Sequence, residues 1–413
     1  MKRSIMLLVL AALFVTAAIA SAGCGGSTTT TTAAPATETT AGGGTETTAG
    51  GGGSELVVGY AACLTGDFAV GDVPGLVGVE YEVKLLNDAG GIAGHPIRLV
   101  TKDMKSDPAL GSTVTQELLD EGAAVILGPP FPGVAVGVIQ TAAKKNVAVI
   151  SVTSTQPEFG LVGGSPAYLA AFGDNVQAAA TAEYALKQGY KTVFTMVSPD
   201  LSYTQRTPEF FVNVMEKGGG KMVGTENFSL GQSDFGPQVT KIAALSPQPD
   251  VIYSAMFLPD LGIFTKQLRA AGVTSVMVGA DGFDTQEYIT FAGKDAEGTF
   301  FSTHGFARPG SEFESFAKGA AEMTGKPLEA PALTSLGGDA LLIIKAAIEA
   351  AGSIEPAAIG EALKNLQGAK VINGTVSYKG TNGVPTKDVA VVAIEGGTFV
   401  FKDQFIPSYI PAP

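Results

Sequence analysis

Two hydroxyls, Ser154 and Thr155, stand side by side in a loop at 153–157 (TSTQP) that follows the apolar run 147–152. Such a loop offers hydroxyl donors and, where a helix starts in it, unpaired N–H groups suited to a carboxylate or other anion. The plainer alternative is that the two residues only cap that helix. A second loop, 128–133 (GPPFPG), follows the apolar run 123–127 and carries Phe131, Pro132 and Gly133. Asp281 comes at the end of another short apolar run, in Ala280-Asp281-Gly282. A carboxylate there is expensive unless paired, and the alternative is an Asx turn before Gly282.

Other chemistry has little material. Histidine occurs only at 95 and 304, both in Gly/Pro-flanked turns, and cysteine only at 24 and 63, without CxxC or HxxxH spacing. No metal or cofactor is therefore expected. No nucleophile–base constellation is identifiable, so an enzyme is not expected. No GxGxxG or GxxxxGK[ST] stands at a strand-to-helix junction. With 26 basic and 39 acidic residues the net charge is −13, which argues against nucleic acid and anionic membrane surfaces as partners.

The elements that must position these residues read as alternating strands and helices. The runs at 123–127 and 147–152 are short and rich in β-branched residues, as in strands buried on both faces. Val134, Val138 and Ala142 recur every four residues between them, on one face of a helix. Strands joined by one such helix are parallel, so both following loops emerge at the same sheet edge, where open α/β sheets bind ligands. Tyr60, in the strand Leu56–Ala62, and Phe131 are pocket-wall candidates on position alone. A helix is expected from about Leu76 to Asn87, and a strand up to Asp103; Asp107-Pro108 fits a helix N-cap with proline first. Further strands are expected at 193–197, 251–255 and Val276–Gly279, with helices at 311–324, 330–352 and 356–366 and closing strands at 375–378, 389–394 and 398–401.

Residues 1–24 read as a targeting segment: Lys2 and Arg3, an apolar run at 5–20, then Ser21-Ala22-Gly23-Cys24. The ending resembles a bacterial lipobox, although Ser21 stands where leucine is usual. It implies cleavage before Cys24, lipidation of its thiol and an extracytoplasmic protein anchored to the cell membrane. Residues 25–54 are Thr/Gly/Ala-rich and contain TETTAGGG twice, too little apolar surface to fold, so they read as a flexible tether. Cys63 reads as a small apolar residue at a strand end.

The text Asn87-Asp88-Ala89-Gly90-Gly91-Ile92-Ala93-Gly94-His95-Pro96-Ile97, with LTGD at 64–67, VILGP at 125–129 and the 151–157 segment, carries a resemblance. It resembles the type I periplasmic binding proteins of ABC importers, in the branched-chain amino acid and amide class, from Leu56 to about Phe401. The resemblance implies an α/β fold of two Rossmann-like lobes with parallel sheets, joined by a three-segment hinge near 172–175, 303–306 and 379–387. The implied division is 55–174 plus 306–382 for the N-terminal lobe and 175–305 plus 383–413 for the C-terminal lobe. It places carboxylate donors at Thr155, the main chain of Ser154 and the Pro132–Gly133 turn, and covering aromatics at Tyr203 and Phe257, for which rim packing is the alternative. The ammonium partner falls on Asp281. Pro132 replaces the family's usual serine and so removes a hydroxyl and an N–H. The implied function is a monomeric receptor that delivers a small ligand, a branched-chain or other apolar amino acid, to an ABC permease. An amide or aromatic or short-chain acid is the alternative ligand. A sensory module of the same fold is less expected, because no signalling segment follows Phe401.

Overall fold

The computed structural model describes residues 53–162 and 167–413. The targeting segment, Cys24 and all but the last two tether residues lie outside the described residues.

The first sheet is wholly parallel, in the order β2-β1-β3-β4-β5. Its strands are β1 (Leu56–Ala62), β2 (Ile97–Asp103), β3 (Val125–Gly128), β4 (Ala148–Ser151) and β5 (Ala167–Leu169). Strands β1, β3 and β4 are buried at every position, as runs covered on both faces must be. Helices α1 (Ala69–Asp88), α2 (Gly111–Asp120) and α3 (Pro132–Ala143) connect them, and Val134, Val138 and Ala142 of α3 are buried as their spacing requires. Helix α1 starts at Ala69, well before the expected Leu76, because Pro74 and the glycines around it read as a loop. Those glycines have a packing role. A Cβ on Gly78 would lie 1.7 Å from the carbonyl oxygen of Thr334 on a crossing helix, and one on Gly337 would lie 2.2 Å from that of Gly75.

The second lobe runs α4 (Asp174–Lys187), β6 (Thr192–Val197), α5 (Ser202–Lys217), β7 (Lys221–Asn227), α6 (Gly236–Ala243), β8 (Val251–Ser254), α7 (Asp260–Ala270), β9 (Val276–Gly279), α8 (Gln286–Ala292) and β10 (Phe300–Thr303). The chain then returns to the first lobe with α9 (Glu312–Thr324), α10 (Pro331–Ala351) and α11 (Pro356–Asn365). A small antiparallel sheet follows, of β11 (Ala369–Val371), β12 (Gly374–Ser377) and β13 (Thr386–Lys387). Finally β14 (Val389–Glu395) and β15 (Thr398–Phe405) join the second sheet, in the order β15-β14-β10-β9-β8-β6-β7. This sheet is parallel except at that edge, where β14 runs against β10 and β15 against β14. The chain thus passes between the two sheets' layers three times, between β5 and α4, between β10 and α9, and between β13 and β14.

Helix α10 is long and apolar enough by length and composition to cross a membrane. Here it is a core helix, with Leu336, Ile343, Ile344 and Ile348 packed in the same cluster as Val58 and Ile150 of the first sheet. It also carries Asp339, whose carboxylate meets the Lys387 ammonium at 2.6 Å with both side chains wholly buried. Lys387 further donates to the Ala170 carbonyl at 2.9 Å, and Asn373 Nδ2 donates to Asp339 at 2.9 Å. One ion pair therefore joins α10 to the first and third passages between the lobes.

Removing one partner of such a pair leaves an uncompensated buried charge. Lys387→Met should destabilise the protein by about 3–5 kcal/mol, and adding Asp339→Leu should recover much of that loss. Urea denaturation of both variants measures the difference; a double variant as unstable as the single one would show that the pair is not what the site requires.

Candidate functional site

The first-lobe face is built at the C-terminal ends of β3 and β4. Ser151 ties the two loops together: its Oγ donates to the Pro129 carbonyl at 2.7 Å and accepts from the Ser154 N–H at 3.1 Å. Phe131 packs its ring on Phe68, with centroids 4.8 Å apart. Pro132 opens α3 with no side-chain cap, so the Gly133 N–H at this exposed end has no intrahelical partner. Ser154 and Thr155 are both buried, and the Ser154 hydroxyl makes no hydrogen bond. The helix anticipated behind them is only a four-residue 3-10 turn, Pro157–Gly160. Anion donors in this loop are thus its hydroxyls, without a helix terminus behind them.

Tyr60 lies behind this surface and is joined to its 153–157 loop through Asp72. It is wholly buried, and its hydroxyl donates to Asp72 at 2.9 Å. Asp72 sits in the first turn of α1 and also accepts from the Cys63 N–H at 2.7 Å and the Thr153 hydroxyl at 3.4 Å. Burial pushes its carboxyl up to about 7, against the pull of those donors. The group pins the start of α1 across the sheet edge.

The second-lobe face gathers Tyr203 from the first turn of α5, Phe257 after β8 and Asp281 after β9. The Tyr203 and Phe257 rings stack with centroids 5.0 Å apart. Asp281 Oδ1 accepts from the Tyr203 hydroxyl at 2.8 Å and from Gln177 Nε2 at 2.9 Å, and Oδ2 accepts from His304 Nε2 at 3.1 Å. Burial pushes this carboxyl up, but the His304 bond, with those of Gln177 and Tyr203, holds it below the usual carboxylate range. Gln177 completes the frame: its Oε1 accepts from the Asp281 N–H at 3.0 Å and Ser302 at 2.8 Å, and its Nε2 also reaches Asp174 at 3.0 Å. Burial and the Asp281 charge raise the Asp174 carboxyl well above its ordinary value.

The two faces meet. The Asp174 N–H donates to the Thr155 carbonyl at 2.6 Å, and Ser202 of the second lobe bonds Glu158 of the first. Thr155 is thereby linked to Asp281 through Asp174 and Gln177. Sequence reasoning had not singled out Asp174 or Gln177, and had set His304 aside as a turn residue. Its side chain is in fact only 1% exposed, and its ring stacks on Phe172 at 4.0 Å. The other histidine, His95, is partly exposed and bonds the Ser54 carbonyl at 2.6 Å.

Residues 55–398 match the family model described as periplasmic binding protein. Among curated relatives, the chain is 26% identical over 348 residues to Leu/Ile/Val-binding protein homolog 3 of Brucella melitensis, covering 84% of this chain and 93% of that one. Among solved structures, it resembles a leucine binding protein from Thermotoga maritima with a TM-score of 0.70 and 25% identity, over 85% of this chain and 99% of that one. It also resembles, in fold, a solute binding protein from R. palustris in complex with benzoate, with a TM-score of 0.69, 19% identity and coverage of 86% and 98%.

The raised Asp72 carboxyl makes a pH prediction. Its folded value of about 7 exceeds the ordinary 3.8, so its contribution favours folding fully below about pH 4 and is lost as pH rises through 7. Asp72→Asn should flatten that part of the decline in stability between pH 4 and 8. Denaturation midpoints across the range test this, and an unchanged slope would place the Asp72 carboxyl in its ordinary range.

Proposed function

The chain belongs to the periplasmic binding protein family, a family of solute receptors for ABC importers, and from that membership we propose that its cleft captures an α-amino acid with a branched or other apolar side chain. An amino acid is a zwitterion, so its site needs donors for the carboxylate, an acceptor for the ammonium and an apolar pocket. The observation that carries the reading is Asp281, a carboxylate kept ionised at the cleft beside the stacked Tyr203–Phe257 pair. Opposite it, the unpartnered Ser154 hydroxyl, Thr155 and the Gly133 N–H are the carboxylate donors, and Phe131 is a wall. The protein is a binding protein rather than an enzyme.

Charge separates this ligand from the aromatic and short-chain acids. The charges acting on Asp281, Asp174 and Tyr203 come from one another, from Glu158, from Tyr253 and from His304. Among the described residues no lysine or arginine is hydrogen-bonded to this group. A bare carboxylate ligand would face Asp281 unbalanced, whereas a zwitterion brings its own positive charge.

Calorimetry with leucine and its deaminated analogue, 4-methylpentanoate, tests this. Asp281→Asn should weaken leucine by a hundredfold or more, since losing one partner of a buried charge pair costs about 3–5 kcal/mol, while 4-methylpentanoate should bind no worse. Pro132→Ser should tighten leucine by roughly tenfold, the worth of about one charge-assisted hydrogen bond. Wild-type preference for 4-methylpentanoate or benzoate over leucine would overturn the reading.

We also propose that the mature chain begins at a lipidated Cys24, with 25–54 as a tether that lets a monomeric body stand off the membrane and meet an ABC permease. Cys24→Ala should leave the protein in the soluble extracytoplasmic fraction. Retention in the membrane fraction despite that change would mean that something other than the lipid anchors it.

A further inference from the structure

His304 is buried at the cleft on the second passage between the lobes. Among the described residues, Asp281 Oδ1 is occupied by two donors, Gln177 and Tyr203, whereas Oδ2 has one, His304 Nε2 at 3.1 Å. A carboxylate has about four acceptor directions, so one remains, and it lies on the oxygen that His304 holds. The Asp281 side chain is 16% exposed and that of His304 only 1%. Asp281 is therefore partly open at the cleft, while the histidine beside it is not.

The ring is held in place. It stacks on Phe172, itself wholly buried, with centroids 4.0 Å apart and planes 26° from parallel. Nε2 must carry a proton to meet a carboxylate, and Nδ1 is buried without a partner. The imidazole thus orients Asp281 Oδ2 through the Nε2 hydrogen bond.

We propose that His304 is a positioning residue that sets ligand selectivity: it holds Asp281 Oδ2 with one acceptor direction open toward the cleft, so the receptor prefers ligands carrying an ammonium group there over isosteres that lack it. The inference rests on the amino-acid reading of the cleft. The other groups facing Asp281 are accounted for: Tyr203 from α5, Asp174 from α4, Tyr253 from β8 and Asp284 from its own loop, with Glu158 acting on Asp174 from the first lobe. None of these besides Tyr203 bonds the Asp281 carboxylate.

The test is His304→Phe in the full-length protein, which keeps a ring on Phe172 and removes the donor. Two quantities are read: the titration midpoint of the Asp281 carboxyl by carbon-13 NMR without ligand, and the ratio of leucine to 4-methylpentanoate affinity by calorimetry. The midpoint should move to higher pH, because burial is then less opposed. The affinity ratio should fall at least tenfold, mostly through weaker leucine binding, and His304→Gln, which restores an N–H donor, should recover part of both. Should the His304→Phe variant fail to fold, His304→Asn, whose amide falls short of Oδ2, reads the same two quantities. An unmoved Asp281 midpoint, or equal losses for both ligands, would overturn the proposal. If the wild type binds no α-amino acid, the proposed ligand class fails, and the ligand-free titration of Asp281 alone then decides the role of His304.

Discussion

Asp281 keeps a carboxylate charge where water is nearly excluded, and the second lobe is arranged around the cost of doing so. Desolvation alone would drive such a group toward its protonated form. Three donors oppose it, and each arrives on a different element: Gln177 on α4, Tyr203 on α5 and His304 at the end of β10. The parallel sheet makes this convergence possible, since the C-terminal ends of β8, β9 and β10 open at one edge. The Gln177 amide then fixes the spacing, bonding the Asp281 side chain and N–H, Asp174 and Ser302 at once.

The ion pair of Asp339 and Lys387 shows the opposite solution to the same problem. There the charge is answered within the protein, with both side chains fully buried and Asn373 and the Ala170 carbonyl taking further positions. Nothing is left for a ligand, and the pair's effect falls on how the chain passages are held against α10. At Asp281 the donors stop one short of saturation and none is a lysine or arginine. A buried carboxylate with one acceptor direction unfilled keeps a place for a further donor, which is the property a receptor site needs and a structural pair does not.

How much of this was legible in the sequence follows from where each signal resides. Strands β1, β4 and β9 are continuous apolar runs, and Ser154, Thr155 and Asp281 stand just beyond such runs, so local pattern and family resemblance converge on them. Helix α4 gives no comparable signal, because Val176 to Ala182 are buried on all sides and leave no polar stripe to mark a period. Strand β7 is mostly exposed and polar, and so lacks the apolar signature altogether. Tyr60 could not be oriented from β1, whose residues are buried on both faces; the structure turns it toward Asp72. Gln177 and His304 were beyond reach for another reason. They lie 104 and 23 residues from Asp281, and only the assembled sheet edge brings the three together.

The contact between the lobes adds charge to the second-lobe site. The contacts between the lobes bring Glu158 of the first close enough to Asp174 of the second to raise its carboxyl further, beyond the effects of burial and Asp281. This arrangement therefore gathers carboxyl groups in a space of low dielectric, where like charges repel strongly and one is driven to hold a proton. On the amino-acid reading proposed above, an ammonium group on the open side of Oδ2 would relieve that repulsion, and a ligand that interacts better with one conformation shifts the population toward it. The charge that would select the ligand would thereby also favour the contact between the lobes, while the zwitterion's own ammonium would balance its carboxylate.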